Sequence, residues 1–279
     1  MVVLVTGCRS GFGLGIAEDL GHRGHTVYAG LRDLSTAGEL IARTSAYDVH
    51  PVQLDVTLAD ERQAVVAQIL DEQGSIDALV NNAGVALGGF LEQVDEDELR
   101  RVLDVNVVGA WALTKLVLPS FRERRAGKIV MVSSVSGIMA LPGLGVYATS
   151  KFALEGMTEA WRHELAHFGI DIYLVEPGAY RTDIWARNRA VCRKARDPDS
   201  PWAALSQTVD QNFQAAVDRD LRDPKEVVDK ITALLEGQRQ GLRHALGPGT
   251  RLRRALKIAP FWVVERAVRR RLMGARRGS

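Results

Sequence analysis

A chain of 279 residues with 46% hydrophobic and 25% charged residues has room for one generous α/β domain, at most with an appendage, and the composition of an ordinary globular protein. Two cysteines, Cys8 and Cys192, exclude a disulfide framework and suit a reducing, cytoplasmic setting; no run of about 18 apolar residues argues for a membrane-spanning helix, and no basic leader precedes the opening Met1-Val2-Val3-Leu4-Val5. The net charge of +2 hides an asymmetry: residues 251–279 hold ten Lys/Arg against one acid, Glu265, which leaves the rest with 26 basic and 33 acidic residues, about −7.

In chain order, apolar β-rich runs predict strands over 2–6, 26–30, 52–54, 78–81, 128–133, 171–176 and 244–246. Amphipathic stretches between them predict helices over 13–23, 59–73, 96–124, 147–167 and 224–237. Several strands are apolar throughout, as strands covered on both faces of a parallel sheet are. The βαβα alternation predicts a doubly wound, mostly parallel, Rossmann-like sheet in a single domain with helices on both faces. The rhythm stops over 180–223, a polar stretch holding Trp185, Trp202 and Phe213, which reads as a lid. Residues 1–249 thus form the main domain, and 250–279 a basic amphipathic tail, helical over 252–272 with a break at Pro260.

Thr6-Gly7-Cys8-Arg9-Ser10-Gly11-Phe12-Gly13 joins the first strand to the first helix. Glycines there allow a tight turn and let backbone approach a pyrophosphate, and the helix N-terminus offers unpaired N–H groups. The spacing is not Gly-x-Gly-x-x-Gly, and no Gly-Lys-Ser/Thr follows, so a Walker loop is excluded. Downstream, Tyr147 and Lys151 lie four residues apart, which places both on one helix face. A nearby ammonium favours the phenolate, so a phenol with a pKa of about 10 becomes usable as an acid/base.

Together with Asp55, Asn81-Asn82-Ala83-Gly84, Asn106, Ser134 and Pro177-Gly178 with Thr182, these motifs stand in an order and spacing that resemble the short-chain dehydrogenase/reductase family over the first two-thirds of the chain. The stretches 28–33, 102–109 and 147–156 look most like its hydroxysteroid and retinol dehydrogenase branch. The resemblance implies a catalytic set of Asn106, Ser134, Tyr147 and Lys151: Tyr147 as general acid/base, Ser134 holding the substrate oxygen, and Asn106 anchoring a water that links Lys151 to solvent. Ser133 is the neighbouring candidate, but the family's thirteen-residue separation from the tyrosine selects Ser134. The implied cofactor contacts are Gly7, Arg9, Ser10, Gly11, Phe12, Gly13, Arg32, Asp55, Val56, Asn82, Ala83, Gly84, Tyr147, Lys151, Pro177, Gly178 and Thr182. Asp55 is read either as holding the adenine ring or as an N-cap of the following helix. Pro177-Gly178 either reaches the nicotinamide carboxamide or merely ends a strand.

NADP(H) is favoured over NAD(H). Gly30 stands where NAD-preferring relatives usually carry an acid, Arg32 follows within reach of a 2′-phosphate, and Arg9 adds charge. Asp33 competes as a ribose ligand. The implied reaction interconverts a secondary alcohol and a ketone; the alternatives are a non-catalytic NADP(H)-binding sensor and an isomerase or epimerase that keeps its cofactor. The segments 85–91 and 135–146 are apolar and suit a lipophilic substrate, whereas Arg181, Arg187, Arg189, Arg193, Lys194 and Arg196 of the lid read as a solvated face. No metal or nucleic acid is implied. Pairing into a homodimer or homotetramer through 96–124 and 147–167 follows from the resemblance, and the tail is read either as docked on its own domain or as touching an anionic membrane surface.

Overall fold

Alternation along one strand decides where the helices go. β1 (Val2–Thr6) sends Val3 and Val5 to one face and Leu4 to the other, and none of the three has exposed surface. The computed structural model describes residues 1–182, 184, 189–220, 222–247 and 250–272. Trp185 and Arg187, named above for the lid, lie outside the described residues, and the side chain of Arg189 is likewise not described.

Seven parallel strands form the main sheet: β1, β2 (Thr26–Leu31), β3 (Val49–Gln53), β4 (Ala78–Asn81), β6 (Gly127–Val132), β7 (Ile170–Pro177) and β9 (Arg243–Leu246). Their order is β3-β2-β1-β4-β6-β7-β9. A second, two-stranded sheet pairs β5 (Ala86–Gly88) with β8 (Arg189–Val191). Val3, Val5, Val27 and Ala29 pack with α1 (Gly11–His22), α2 (Gly38–Thr44) and α8 (Lys225–Glu236) on one face. Leu4, Tyr28 and Leu79 pack with α3 (Ala59–Gln73), α5 (Ala110–Arg124) and α6 (Gly145–Ala166) on the other. This is the doubly wound, Rossmann-like single domain that the alternation predicts.

Three differences from the sequence reading have local causes. The helix expected over 96–124 is α4 (Glu96–Leu103), a π-helical turn (Asp104–Gly109), then α5. The seam lies where Gly109 passes Val56 so closely that a Cβ would stand 2.8 Å from the Val56 carbonyl oxygen. The same 96–124 window has the length and mean hydropathy (1.4) of a membrane span, yet Leu113, Val117 and Phe121 in it are fully buried against the sheet. α2 is seven residues long, too short to carry a periodic signal. The expected lid holds β8 and α7 (Ala203–Asp220), and it is tied to the body. Arg193 and Lys194 pair with Asp95, and Arg193 also with Asp97, in ion pairs that stay largely in solvent, with the two cations 57% and 60% exposed. Trp202 stacks on Phe90 with ring centroids 5.0 Å apart, and its indole N–H donates to Glu92. The tail is helical, as α9 (Thr250–Ile258) and α10 (Phe261–Leu272), with the break at Ala259-Pro260.

Candidate active site

The strand order reverses between β2 and β4 on either side of β1, and a crevice opens at the carboxyl ends of these strands. A cavity of about 620 Å³ occupies it. Its walls bring together the glycine loop, Arg32, Asp55, Val56, Asn82 to Gly84, Ser134, Tyr147, Lys151, Pro177, Gly178 and Thr182. Gly13 and Asn106 do not line it; both act from behind.

Each loop glycine has its own reason. Gly7 adopts φ +73°, and a Cβ on it would stand 2.9 Å from Ala83 Cα. Gly13 lies against the Gly7 carbonyl, where a Cβ would come within 2.2 Å. Ser10 is the N-cap of α1, yet its side chain makes no capping bond, so the first-turn N–H groups are left for a ligand at the cavity edge. Thr182 sits across from Gly11, 3.3 Å from where a Cβ there would be. Phe12 turns from the loop onto Tyr180 in an edge-to-face contact. A cradle that a single methyl would fill, at a helix N-terminus, fits a dinucleotide pyrophosphate.

Thr6, the first residue of the glycine motif but not among the implied cofactor contacts, organises this floor. Fully buried, its hydroxyl accepts the N–H groups of Asn82 (3.0 Å) and Ala83 (2.9 Å), while Asn82 Nδ2 donates to the Thr6 (2.9 Å) and Gly7 (3.2 Å) carbonyls. The β1 and β4 loops are thereby fixed to each other. Only the strand-to-loop position of a threonine could have hinted at this.

At the adenosine end, the structure corrects two readings. Asp55 is not an N-cap: Leu58 holds that position, and Asp55 instead accepts from the Thr57 N–H and hydroxyl in an Asx turn. Gly30 is not at the strand end. β2 continues to Leu31, and a Cβ on Gly30 would strike Leu54 at 2.8 Å, so no acid fits there; Leu31, Arg32 and Asp33 face the cavity instead. Asp33 is exposed and accepts from the Ser35 N–H, which holds its carboxyl below the usual range, with the Arg32 and Arg9 charges adding to that.

At the other end, Ser134, Tyr147 and Lys151 converge. Tyr147 hydrogen-bonds Ser134 and is 3% exposed. Ser133 points the opposite way and donates to Glu155 at 3.1 Å, as alternation along a strand requires. Lys151 Nζ lies 5.7 Å from the Tyr147 ring centroid and donates to the Val132 carbonyl at 2.9 Å. The ammonium does not lower the phenol's pKa as expected: burial pushes Tyr147 up to about 12 against the pull of Ser134, and pushes Lys151 down to about 8 against the pull of Glu155. Asn106, in the π-helical turn, is consumed by backbone and by Ser150: Nδ2 donates to Val85 O and Ser150 Oγ, and Oδ1 accepts from Val85 N. Its side chain pins the Val85 backbone, and its Oδ1 and Lys151 Nζ both approach Gly84, 3.4 Å and 3.7 Å from where a Cβ there would stand. Cys8 is a packing residue whose thiol donates to Val5 O.

A parallel doubly wound sheet with this cradle and this Ser–Tyr–Lys cluster defines a dinucleotide-dependent oxidoreductase. The chain belongs to the short chain dehydrogenase family, whose model matches residues 1–192. It is 37% identical over 258 residues to an uncharacterized oxidoreductase, YusZ, of Bacillus subtilis, covering 90% of each chain. It is 38% identical over 257 residues to human retinol dehydrogenase 8, covering 86% of this chain and 79% of that one. A crystal structure of a short-chain dehydrogenase from Streptomyces avermitilis superposes with a TM-score of 0.81 at 32% identity over 96% of both chains. The cofactor is therefore a nicotinamide dinucleotide and the substrate a small molecule.

Thr6→Val removes the acceptor that holds the Ala83 N–H in a dry site. It should lower stability by roughly 1–3 kcal/mol in guanidinium melts and weaken dinucleotide binding in fluorescence titrations. Wild-type values in both would refute the clamp.

Proposed function

We propose that the protein is an NADP(H)-dependent oxidoreductase that interconverts a secondary alcohol and a ketone on a lipophilic small molecule. The observation that carries this is the convergence of Ser134, Tyr147 and Lys151 in one cavity with the glycine cradle. The dinucleotide, when bound, supplies the hydride acceptor or donor and, oxidised, a positive ring charge. Tyr147 takes the hydroxyl proton of the alcohol, or returns it to the ketone oxygen. Ser134 holds that oxygen, and Lys151 supplies positive charge beside the phenol. A buried phenol pushed up to about 12 is protonated at neutral pH, and positive charge beside it is needed for it to give that proton up or to act as a base. A sensor would have no use for this buried Ser–Tyr–Lys set, which favours the enzyme reading.

Val85, Val105, Val132, Ile184 and Ala190 line the cavity and support an apolar substrate. Arg9 and Arg32 beside an Asp33 already engaged by Ser35 support NADP(H). Exposed Val108, Trp111 and Phe152 on the α5 and α6 side support pairing of subunits through those helices. Ile258, Phe261 and Trp262 at the tail's bend are 88%, 78% and 64% exposed among basic residues, a composition suited to an anionic bilayer, from which an apolar substrate is drawn.

Tyr147→Phe should lower kcat by at least ~10²-fold while cofactor binding survives; near-normal turnover would sink the assignment. Arg32→Ala should cut kcat/KM with NADPH roughly tenfold more than with NADH, and equal losses would remove the NADP preference. The protein should sediment with phosphatidylserine-containing vesicles, and a Phe261→Ser/Trp262→Ser variant should bind them roughly tenfold more weakly. Wild-type protein left in the supernatant would refute lipid contact.

A further inference from the structure

Behind the helix that carries Tyr147 and Lys151 lies a set of buried charges that the reaction does not touch. Glu155, one helical turn beyond Lys151, has a side chain only 5% exposed. Its Oε1 accepts from Ser133, the neighbour of Ser134, and its Oε2 pairs with Arg243 Nη1 at 2.7 Å. Arg243 arrives from β9, the last strand of the sheet, and also pairs with Glu176 of β7 at 2.5 Å and Glu159 of α6 at 2.6 Å. Glu176 is fully buried, whereas the Glu159 side chain is half-exposed and lies near His163 and Lys257. The buried part of this set holds two carboxylates, Glu155 and Glu176, and one arginine. Lys151 stands one helical turn from Glu155, and its Nζ donates to the carbonyl of Val132, the residue before the Ser133 that holds Glu155.

Nothing about packing alone requires a carboxylate here. Gly137 leaves the room: a Cβ on it would stand 2.2 Å from Glu155 Oε1. A buried carboxylate held by a hydroxyl and a guanidinium remains ionised, and its field acts on the nearest group that can lose a charge. That group is Lys151, whose burial otherwise favours the neutral amine.

We propose that Glu155 is a positioning residue of this site: its carboxylate, held by Ser133 and Arg243, keeps the buried Lys151 side chain in its ammonium form, and Arg243 sets how much of that negative charge reaches Lys151. The last strand of the sheet thereby reaches the proton chemistry through one ion pair. The inference rests on the reading of Lys151 as the partner of Tyr147, but its test needs no turnover.

The test is an NMR titration of lysine 13Cε-labelled full-length protein, with the Lys151 resonance identified by its loss in Lys151→Met. The wild-type midpoint lies near 8, where burial and Glu155 together place it. Glu155→Gln should move it down by about one pH unit. Arg243→Gln, which leaves Glu155 and Glu176 buried without the guanidinium that keeps them ionised, should move it down as well, because a proton taken up by Glu155 cancels its field on Lys151. The two variants reach the same carboxylate from different elements, which keeps the test decisive if either fails to fold. The alkaline limb of the kcat profile should shift in the same direction as each midpoint. Midpoints unmoved in folded variants that have merely lost thermal stability would reduce the cluster to a structural strut and overturn the inference. An active Tyr147→Phe would instead overturn the reading beneath it, leaving the titration result intact.

Discussion

A lysine ammonium kept out of water is the constraint on which the rest of the structure turns. Lys151 is 4% exposed, and its neighbour Tyr147 3%. Water would make the acid/base task harder, since it would screen the charge and compete for the phenol oxygen. Dryness has its own cost: each group prefers its neutral state, the phenol pushed up and the lysine down. The surrounding architecture works against that preference. Ser134 hydrogen-bonds the phenol, the Val132 carbonyl accepts from the ammonium, and the Glu155 carboxylate stands a turn away.

The same economy of position governs the cofactor end. There the contacts are made by backbone, so the protein must fix loops rather than place charges. Thr6 does this by accepting from the loop after β4, and Gly7 and Gly13 do it by lacking a Cβ where the two loops touch. Arg9, Arg32 and Asp33 stand together at the rim, the charged side chains on which the proposed choice between dinucleotides rests, and Asp33 accepts from Ser35. The lid belongs to this design as well. Its Arg193 and Lys194 pair with Asp95 and Asp97 at the start of α4, and its Trp202 stacks on Phe90, so residues 193–202 are anchored to the segment before and into α4.

Much of this was legible in the chain because its physics is local. Apolar runs bounded by glycines mark parallel strands, and the i,i+4 spacing of Tyr147 and Lys151 is a property of any helix. What was misread was decided by neighbours distant in sequence. Gly30 reads as a vacant acid position until Leu54, just past the adjoining strand β3, shows that the space is filled. The 96–124 helix reads as continuous until Val56 forces a seam at Gly109. The partners of Arg193, Asp95 and Asp97, lie about a hundred residues earlier and are likewise invisible in chain order.

By itself the sequence determined the class of fold, the glycine cradle at the end of the first strand and the shared helix face of Tyr147 and Lys151, because periodicity, glycine punctuation and helical spacing act over a few residues. The tertiary structure alone decided the protonation balance. Burial, and the gathering of Ser133, Glu155, Glu176 and Arg243 from four separate segments behind one lysine, set that balance, and no stretch of chain contains them together. Desolvation and long-range charge depend on what surrounds a group in space, which chain order does not encode.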